Sequence, residues 1–238
     1  CKILEWDSSH FRINIARINK TTEIKPEEMI EINKWCLDNK IDCLYYLKNN
    51  ELDYTFELQN GFSLVDTRVE LKRSLKNISV NSRFENRKIQ FKKIKNESME
   101  TFDSELFLSF YKSRFYQDKK FNKSFVTKMY QTWVENHINA KNAEVISAHV
   151  GNQIIGLITY EFPLNNVPKI GLFSVKSDYG KQGIGSQLLK KCILDLKQKR
   201  KKHLLVVTQN SNKNGIKFYL KHSFQVQLIY NWFHKWYN

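Results

Sequence analysis

An apolar strand, Ile170–Val175, runs into Tyr179-Gly-Lys-Gln-Gly-Ile-Gly-Ser186 and then into an amphipathic helix from about Gln182 to Lys199. Three glycines in six positions let a backbone come close to a ligand. A helix N-terminus offers unpaired N–H groups and the positive end of a dipole. Together they make an anion cradle, to which Lys181 adds a full charge. Residue order excludes two familiar cradles. A P-loop needs Lys after its last glycine, and Ser186 follows Gly185. A dinucleotide fingerprint reads G-x-G-x-x-G, whereas the order here is G-x-x-G-x-G. Taken alone, the loop also fits a tight turn before a close-packed helix.

The surroundings narrow the fold. Glu144–Val150 and Gln153–Phe162 read as strands joined by the two-residue turn Gly151-Asn152, a hairpin signal. Lys169–Val175 is the next strand. In the helix, Ile184, Leu188, Leu189, Cys192, Ile193 and Leu196 form one apolar stripe. Leu204–Thr208 reads as a fully apolar strand of a buried parallel sheet. A helix over Asn212–Lys221 and a strand over Gln225–Phe233 follow. This alternation predicts an α/β fold, a central mixed twisted sheet with flanking helices.

The first half is a smaller α/β pattern. Lys2–Trp6 and Ile13–Ile18 read as strands. Pro26 starts a helix through Asp38, since its ring suits the first helical position. Asp42–Leu47 is a strand, Glu51–Asn60 a helix, and Gly61 sits where a left-handed cap belongs. Phe62–Leu71 follows as a strand. Residues 77–87 are polar and aperiodic, so the expected division is an N-terminal domain over 1–76, a linker over 77–87 and a larger domain over 88–238. That domain opens with a strand over Ile89–Ile94 and helices near Ser98–Ser109 and Ser124–Asn136. Leu58-Gln-Asn-Gly-Phe-Ser-Leu-Val echoes Leu220-Lys-His-Ser-Phe-Gln-Val-Gln; each ends a helix and begins a strand.

The chain has 238 residues, 41% of them hydrophobic, enough for a substantial core. A net charge of +15 favours anionic partners such as phosphates. Cys1, Cys36, Cys43 and Cys192 show no paired spacing, which fits free thiols and a cytoplasmic location. The histidines form no ligand pattern, so no metal is expected. No apolar run approaches the ~20 residues of a membrane-spanning helix, and no signal pattern opens the chain.

The G-x-x-G-x-G loop, with hairpin, strand, loop, long helix, strand, helix and strand in that order, resembles the acetyl-CoA-binding core of the GNAT acetyltransferase superfamily. Gly180 stands where that family usually has Arg or Gln. Thr208-Gln-Asn-Ser-Asn212 and Phe218-Tyr-Leu-Lys-His-Ser-Phe224 resemble its second half, with Ser223 in place of the usual glycine; a strained turn is expected there. Leu4-Glu-Trp-Asp-Ser8, Ile15-Ala-Arg17, Gly61-Phe-Ser-Leu-Val-Asp-Thr67, Ser113-Arg-Phe115 and Val207-Thr-Gln209 resemble the dTDP-fucosamine acetyltransferase branch. That resemblance implies acetyl-CoA as donor and, as acceptor, a nucleotide-linked amino-dideoxy sugar destined for surface polysaccharide.

It also implies a site. Leu172, Phe173, Ser174 and Val175 would present backbone groups to the pantetheine arm. Gly180, Lys181, Gln182, Gly183, Ile184, Gly185 and Ser186 would hold the pyrophosphate. Asn212 would bond the pantetheine or cap its helix. Tyr219 would protonate the departing thiolate, as a phenol with a pKa near 10 can at neutral pH, or would simply pack. A base, if one is needed, is Glu70, Glu161 or a water chain. Arg114, Arg17 and Arg68 are the candidate contacts for sugar or phosphate. Other GNAT acceptors remain open: an aminoglycoside, a polyamine or a protein amine. A homodimer is compatible with the sequence. No nucleic-acid motif is present, and Tyr230, Trp232, Phe233 and Trp236 read as strand packing rather than base stacking.

Overall fold

A computed structural model describes residues 1–49, 53–76, 88–95, 102–108, 110–164 and 167–237. Its strands are β1 (Lys2–Ile3), β2 (Ile15–Arg17), β3 (Cys43–Asn49), β4 (Phe62–Ser74), β5 (Gln90–Ile94), β6 (Ala143–Val150), β7 (Gln153–Glu161), β8 (Lys169–Val175), β9 (His203–Gln209) and β10 (Gln225–Trp236). Its helices are α1 (Glu5–Phe11), α2 (Pro26–Asp38), α3 (Thr55–Gln59), α4 (Glu105–Leu108), α5 (Arg114–Gln117), α6 (Lys123–Asn139), α7 (Ile184–Gln198) and α8 (Lys213–Lys221). The expected linker, 77–87, lies outside the described residues.

The strands form one mixed sheet in the order β1-β2-β3-β10-β4-β9-β8-β7-β6-β5. Among the described residues, only β2–β3 and β8–β9 pair in parallel. Successive side chains of a strand point to opposite faces. Cys43 and Tyr45 thus join the core under α1, α5 and α6, while Leu44 and Tyr46 join the core under α2. On the same face as α2, α7 buries its whole predicted stripe against Val69, Tyr160 and Val206.

Helix α2 spans the expected Pro26–Asp38, with Pro26 in its first turn and Lys25 N–H donating to Glu28 Oε2 at 2.8 Å. Four expectations are corrected. Trp6 lies in α1, not in a strand, and stacks on His10 one turn on at 5.0 Å. The helix expected over Glu51–Asn60 is described only as Thr55–Gln59, and that over Ser98–Ser109 only as Glu105–Leu108. Residues 50–52, 96–101 and 109 lie outside the described residues. Strand β9 is not wholly buried. It alternates, because Leu204 and Val206 pack in the core with α7 while Val207 and Gln209, on the other face, border the cavity described below.

Candidate active site

The short β8–β9 ladder makes the site. Lys169 pairs with Leu205 and Ile170 with Val206, and there the pairing ends. Strand β8 continues to Val175 with no strand on its β9 side among the described residues. Backbone groups that would join a ladder are thereby left to a ligand. A β-bulge begins at the same point. Ile158 pairs with Phe173 and Tyr160 with Ile170, so β8 takes three steps where β7 takes two.

Two cavities adjoin this opening. One, of about 610 Å³, is bordered by Asp66, Arg68, Arg114, His137, Glu161, Leu172, Phe173, Asn212 and Tyr219 among others. The other, of about 240 Å³, is bordered by Phe173, Ser174, Val175, Gly185, Asn212 and Tyr219. Phe173, Asn212 and Tyr219 border both. Tyr219 is buried, and burial pushes its hydroxyl well above the ordinary tyrosine range. It therefore keeps its proton at neutral pH.

The loop between β8 and α7 is built as an N-terminal cradle. Gly183 caps α7 at φ 80°, which favours glycine, and Lys181 also adopts a left-handed φ of 59°. Gly180 is extended, but a methyl there would lie 2.9 Å from Ser177 O. Lys181, Gln182 and Gly183 are exposed and Ile184 is buried. Ser186 Oγ is 2.9 Å from His222 Nε2. Asn212 is the N-cap of α8: its Oδ1 accepts from Gly215 N–H at 3.1 Å, and its Nδ2 donates to Thr208 Oγ1 at 3.1 Å. Ser174 Oγ donates to Leu106 O at 2.6 Å, which ties β8 to α4.

The acceptor-side residues divide. Arg114 lies 4.1–4.3 Å over the rings of Tyr45, Phe115 and Trp232. Its Nη1 donates to His234 Nε2 at 2.7 Å, and His234 Nδ1–H donates to Asp118 Oδ2 at 2.7 Å. Packing and hydrogen bonds hold this cation rigid at the cavity wall. Arg68 is ion-paired with Glu70, and only Arg68 of that pair borders the cavity. Arg17 is exposed on β2 and borders neither cavity. Glu161 does border the large cavity; its carboxyl is held below the usual range by His137, whose Nε2 stands 3.6 Å away, against the opposing effect of burial.

Sequence reasoning missed Asp66 and His137. Burial pushes the Asp66 carboxyl up to about 7, with the Arg114 charge pulling the other way. The Thr67 backbone N–H also pulls it down. A signal for Asp66 lies in the Gly61–Thr67 segment, whose strand alternation puts it on the face of Arg68. Among the described residues, no cluster of His, Cys, Asp and Glu could hold a metal ion, and no helix is long and apolar enough to cross a membrane.

Residues 94–228 match the acetyltransferase (GNAT) domain family. The spore coat polysaccharide biosynthesis protein SpsD of Bacillus subtilis (strain 168) is 25% identical over 128 residues, covering 54% of this chain and 44% of that protein. The match thus spans less than half of that relative's length. A conserved protein of unknown function from Staphylococcus epidermidis ATCC 12228 superposes with a TM-score of 0.67 at 16% identity, covering 94% of this chain and 84% of that one. A GCN5-related N-acetyltransferase from Sphaerobacter thermophilus superposes with a TM-score of 0.59 at 13% identity, covering 88% and 67%. At such identities the structural likeness speaks for the fold alone.

Proposed function

The chain belongs to the GNAT acetyltransferase family, and on that premise we propose that it transfers acetyl from acetyl-CoA to the amine of a nucleotide-linked, first of all dTDP-linked, amino-dideoxy sugar. The observation that carries the reading is the meeting of two cavities at Tyr219, beside the open edge of β8. The pyrophosphate of acetyl-CoA would lie on the N–H groups of Gly183–Ser186 beside Lys181. Its pantetheine would follow Leu172–Val175, with Asn212 nearby. The larger cavity would take the acceptor.

The reaction forms a C–N bond to the acetyl carbon and breaks the C–S bond. Tyr219 gives its proton to the leaving thiolate. The amine loses a proton, for which the cavity offers Glu161 and Asp66. Of these, Asp66 is the better base, because a carboxyl near pKa 7 matches neutral pH. Glu70, paired with Arg68 outside the cavity lining, is the weaker candidate. Residues 1–76 form the acceptor side in this reading, since β4 supplies Asp66 and Arg68. Rigid Arg114 suits a sugar hydroxyl or a phosphate. The likeness to a spore coat polysaccharide protein favours a polysaccharide precursor as acceptor. Sugar nucleotides and acetyl-CoA are cytoplasmic metabolites, and the protein would work beside them.

The test is a thiol-release assay with acetyl-CoA and dTDP- and UDP-linked amino sugars, an aminoglycoside and spermidine. Release confined to a dTDP-amino sugar is the expected result. Release only with a cationic amine would keep acetyl transfer and remove the sugar. No release, with no acetyl-CoA binding by calorimetry, would end the reading.

A further inference from the structure

Gly171 lies in the β8 bulge, and a methyl there would stand 2.5 Å from His137 Cε1 and 2.8 Å from Thr159 Oγ1. Its backbone does not adopt the left-handed region. Glycine is needed here for space: the imidazole of His137, from the last turn of α6, lies directly on the strand. Thr159, fully buried on β7, accepts Leu172 N–H at 2.9 Å through Oγ1. His137 Nδ1 is 2.8 Å from that same oxygen.

A hydroxyl can accept two hydrogen bonds and donate one, so Thr159 Oγ1 serves the Leu172 N–H and the imidazole at once. The other ring nitrogen of His137, Nε2, faces Glu161 Oε2 at 3.6 Å. One chain of contacts runs from the Leu172 peptide through Thr159 and His137 to the Glu161 carboxylate. Gly171, Leu172, His137 and Glu161 all border the large cavity.

We propose that His137 is a positioning residue for acetyl transfer: it holds the Glu161 carboxylate and, through Thr159, the Leu172 peptide in one fixed geometry. The side from which the amine arrives is thereby coupled to the strand along which the thioester lies. The inference rests on the acetyl-transfer reading of this cavity.

Two measurements test it. The first is kinetic. Thr159→Val keeps the side chain's shape and removes the shared oxygen. It and His137→Ala should lower kcat roughly 10- to 100-fold, the scale of a small misplacement of reacting groups. The Kd for acetyl-CoA should stay within about twofold, and Thr159→Ser should restore most of kcat. The second is a stability cycle that needs no activity. Gly171→Ala should lower the Tm sharply in the wild-type background and less beside His137→Ala, which removes the nearer of the two clashes and leaves that with Thr159 Oγ1.

Unchanged kcat in both Thr159→Val and His137→Ala would overturn the proposal, as would equal Tm losses from Gly171→Ala in the two backgrounds. Loss of kcat in Thr159→Ser equal to that in Thr159→Val would also overturn it, by showing that the oxygen is not what matters. If the wild type released no thiol from any acceptor, the acetyl-transfer reading would fail and the catalytic role of His137 with it. The stability cycle would still report whether the ring occupies the space over Gly171, so the two failures are told apart.

Discussion

Tyr219 packs edge-on against Phe218 and Phe224, 5.4 and 5.3 Å between ring centroids, and still borders both cavities. Packing and chemistry can be separated there by one atom. Tyr219→Phe keeps the ring, so Tm and the Kd for acetyl-CoA should hold, while turnover falls on the order of 100-fold as general acid catalysis is lost. Full turnover in that variant would leave Tyr219 a packing residue. Tyr219 and Asn212 enter through a resemblance carried by one contiguous stretch, Thr208–Phe224. Asn212 shows the limit of such reading, since its side-chain oxygen is engaged at Gly215 N–H. Asp66 and His137 are much less legible. Each gains its role from its surroundings in the fold, Asp66 from burial and His137 from Thr159 and Glu161. The one local signal for His137 is a glycine inside an apolar strand, which marks a bulge or a close approach but not what approaches.

At the scale of elements, long periodic segments are read well: α2, α7 and the β6–β7 hairpin appear where spacing puts them. Short ones are not. Helix α1 is seven residues long, and its order depends on contacts that no periodicity records, such as Trp6 against Trp133 of α6 at 6.2 Å. The echo between Leu58–Val65 and Leu220–Gln227 has a backbone counterpart. Gly61 after α3 and Ser223 after α8 both take positive φ, 79° and 60°, and the following Phe62 and Phe224 are both buried. Glycine adopts that conformation without strain; serine does not. Ser223→Gly should therefore raise stability by roughly 0.5–1 kcal/mol, the relief of strain exceeding the added freedom of the unfolded chain. A higher urea midpoint with unchanged slope is the expected sign, and a lower midpoint would show that Ser223 is not strained.

Across the whole molecule, the strand order is what sequence reading does not reach. Strand β10 lies between β3 and β4 and pairs antiparallel with both, so the last strand in sequence separates two consecutive early ones. Hydrophobic alternation says which face a strand buries, not which neighbour it takes. The wedge also sets a pH response. His234, on β10, is pushed down to about 4 by burial, despite the Asp118 carboxylate that bonds it. Above its ordinary pKa of 6.5, the folded and unfolded chains both carry it neutral. As pH falls from 6.5 toward 4 the unfolded chain takes a proton that the fold refuses, so up to roughly 3 kcal/mol of stability is lost over that window. For Asp118 burial acts upward, but the hydrogen bond from His234 and others hold it low, so its contribution is lost only below its ordinary 3.8. Asp66, raised to about 7 in the fold, acts the opposite way, because there the fold takes a proton before the unfolded chain does. The check is therefore a comparison: between pH 7 and pH 4.5 the urea midpoint of the wild type should fall relative to that of His234→Gln. The same wedge has a consequence during synthesis. Trp236 pairs with Cys43 and Lys235 with Phe62, partners made far earlier. At roughly 5–20 residues per second, a ribosome exposes β3 and β4 on the order of 10 s before β10 emerges. In the nascent chain these neighbours must stay apart with their edges unpaired, so the interval before β10 arrives is when this protein is most exposed to mispairing and most in need of a chaperone's hold.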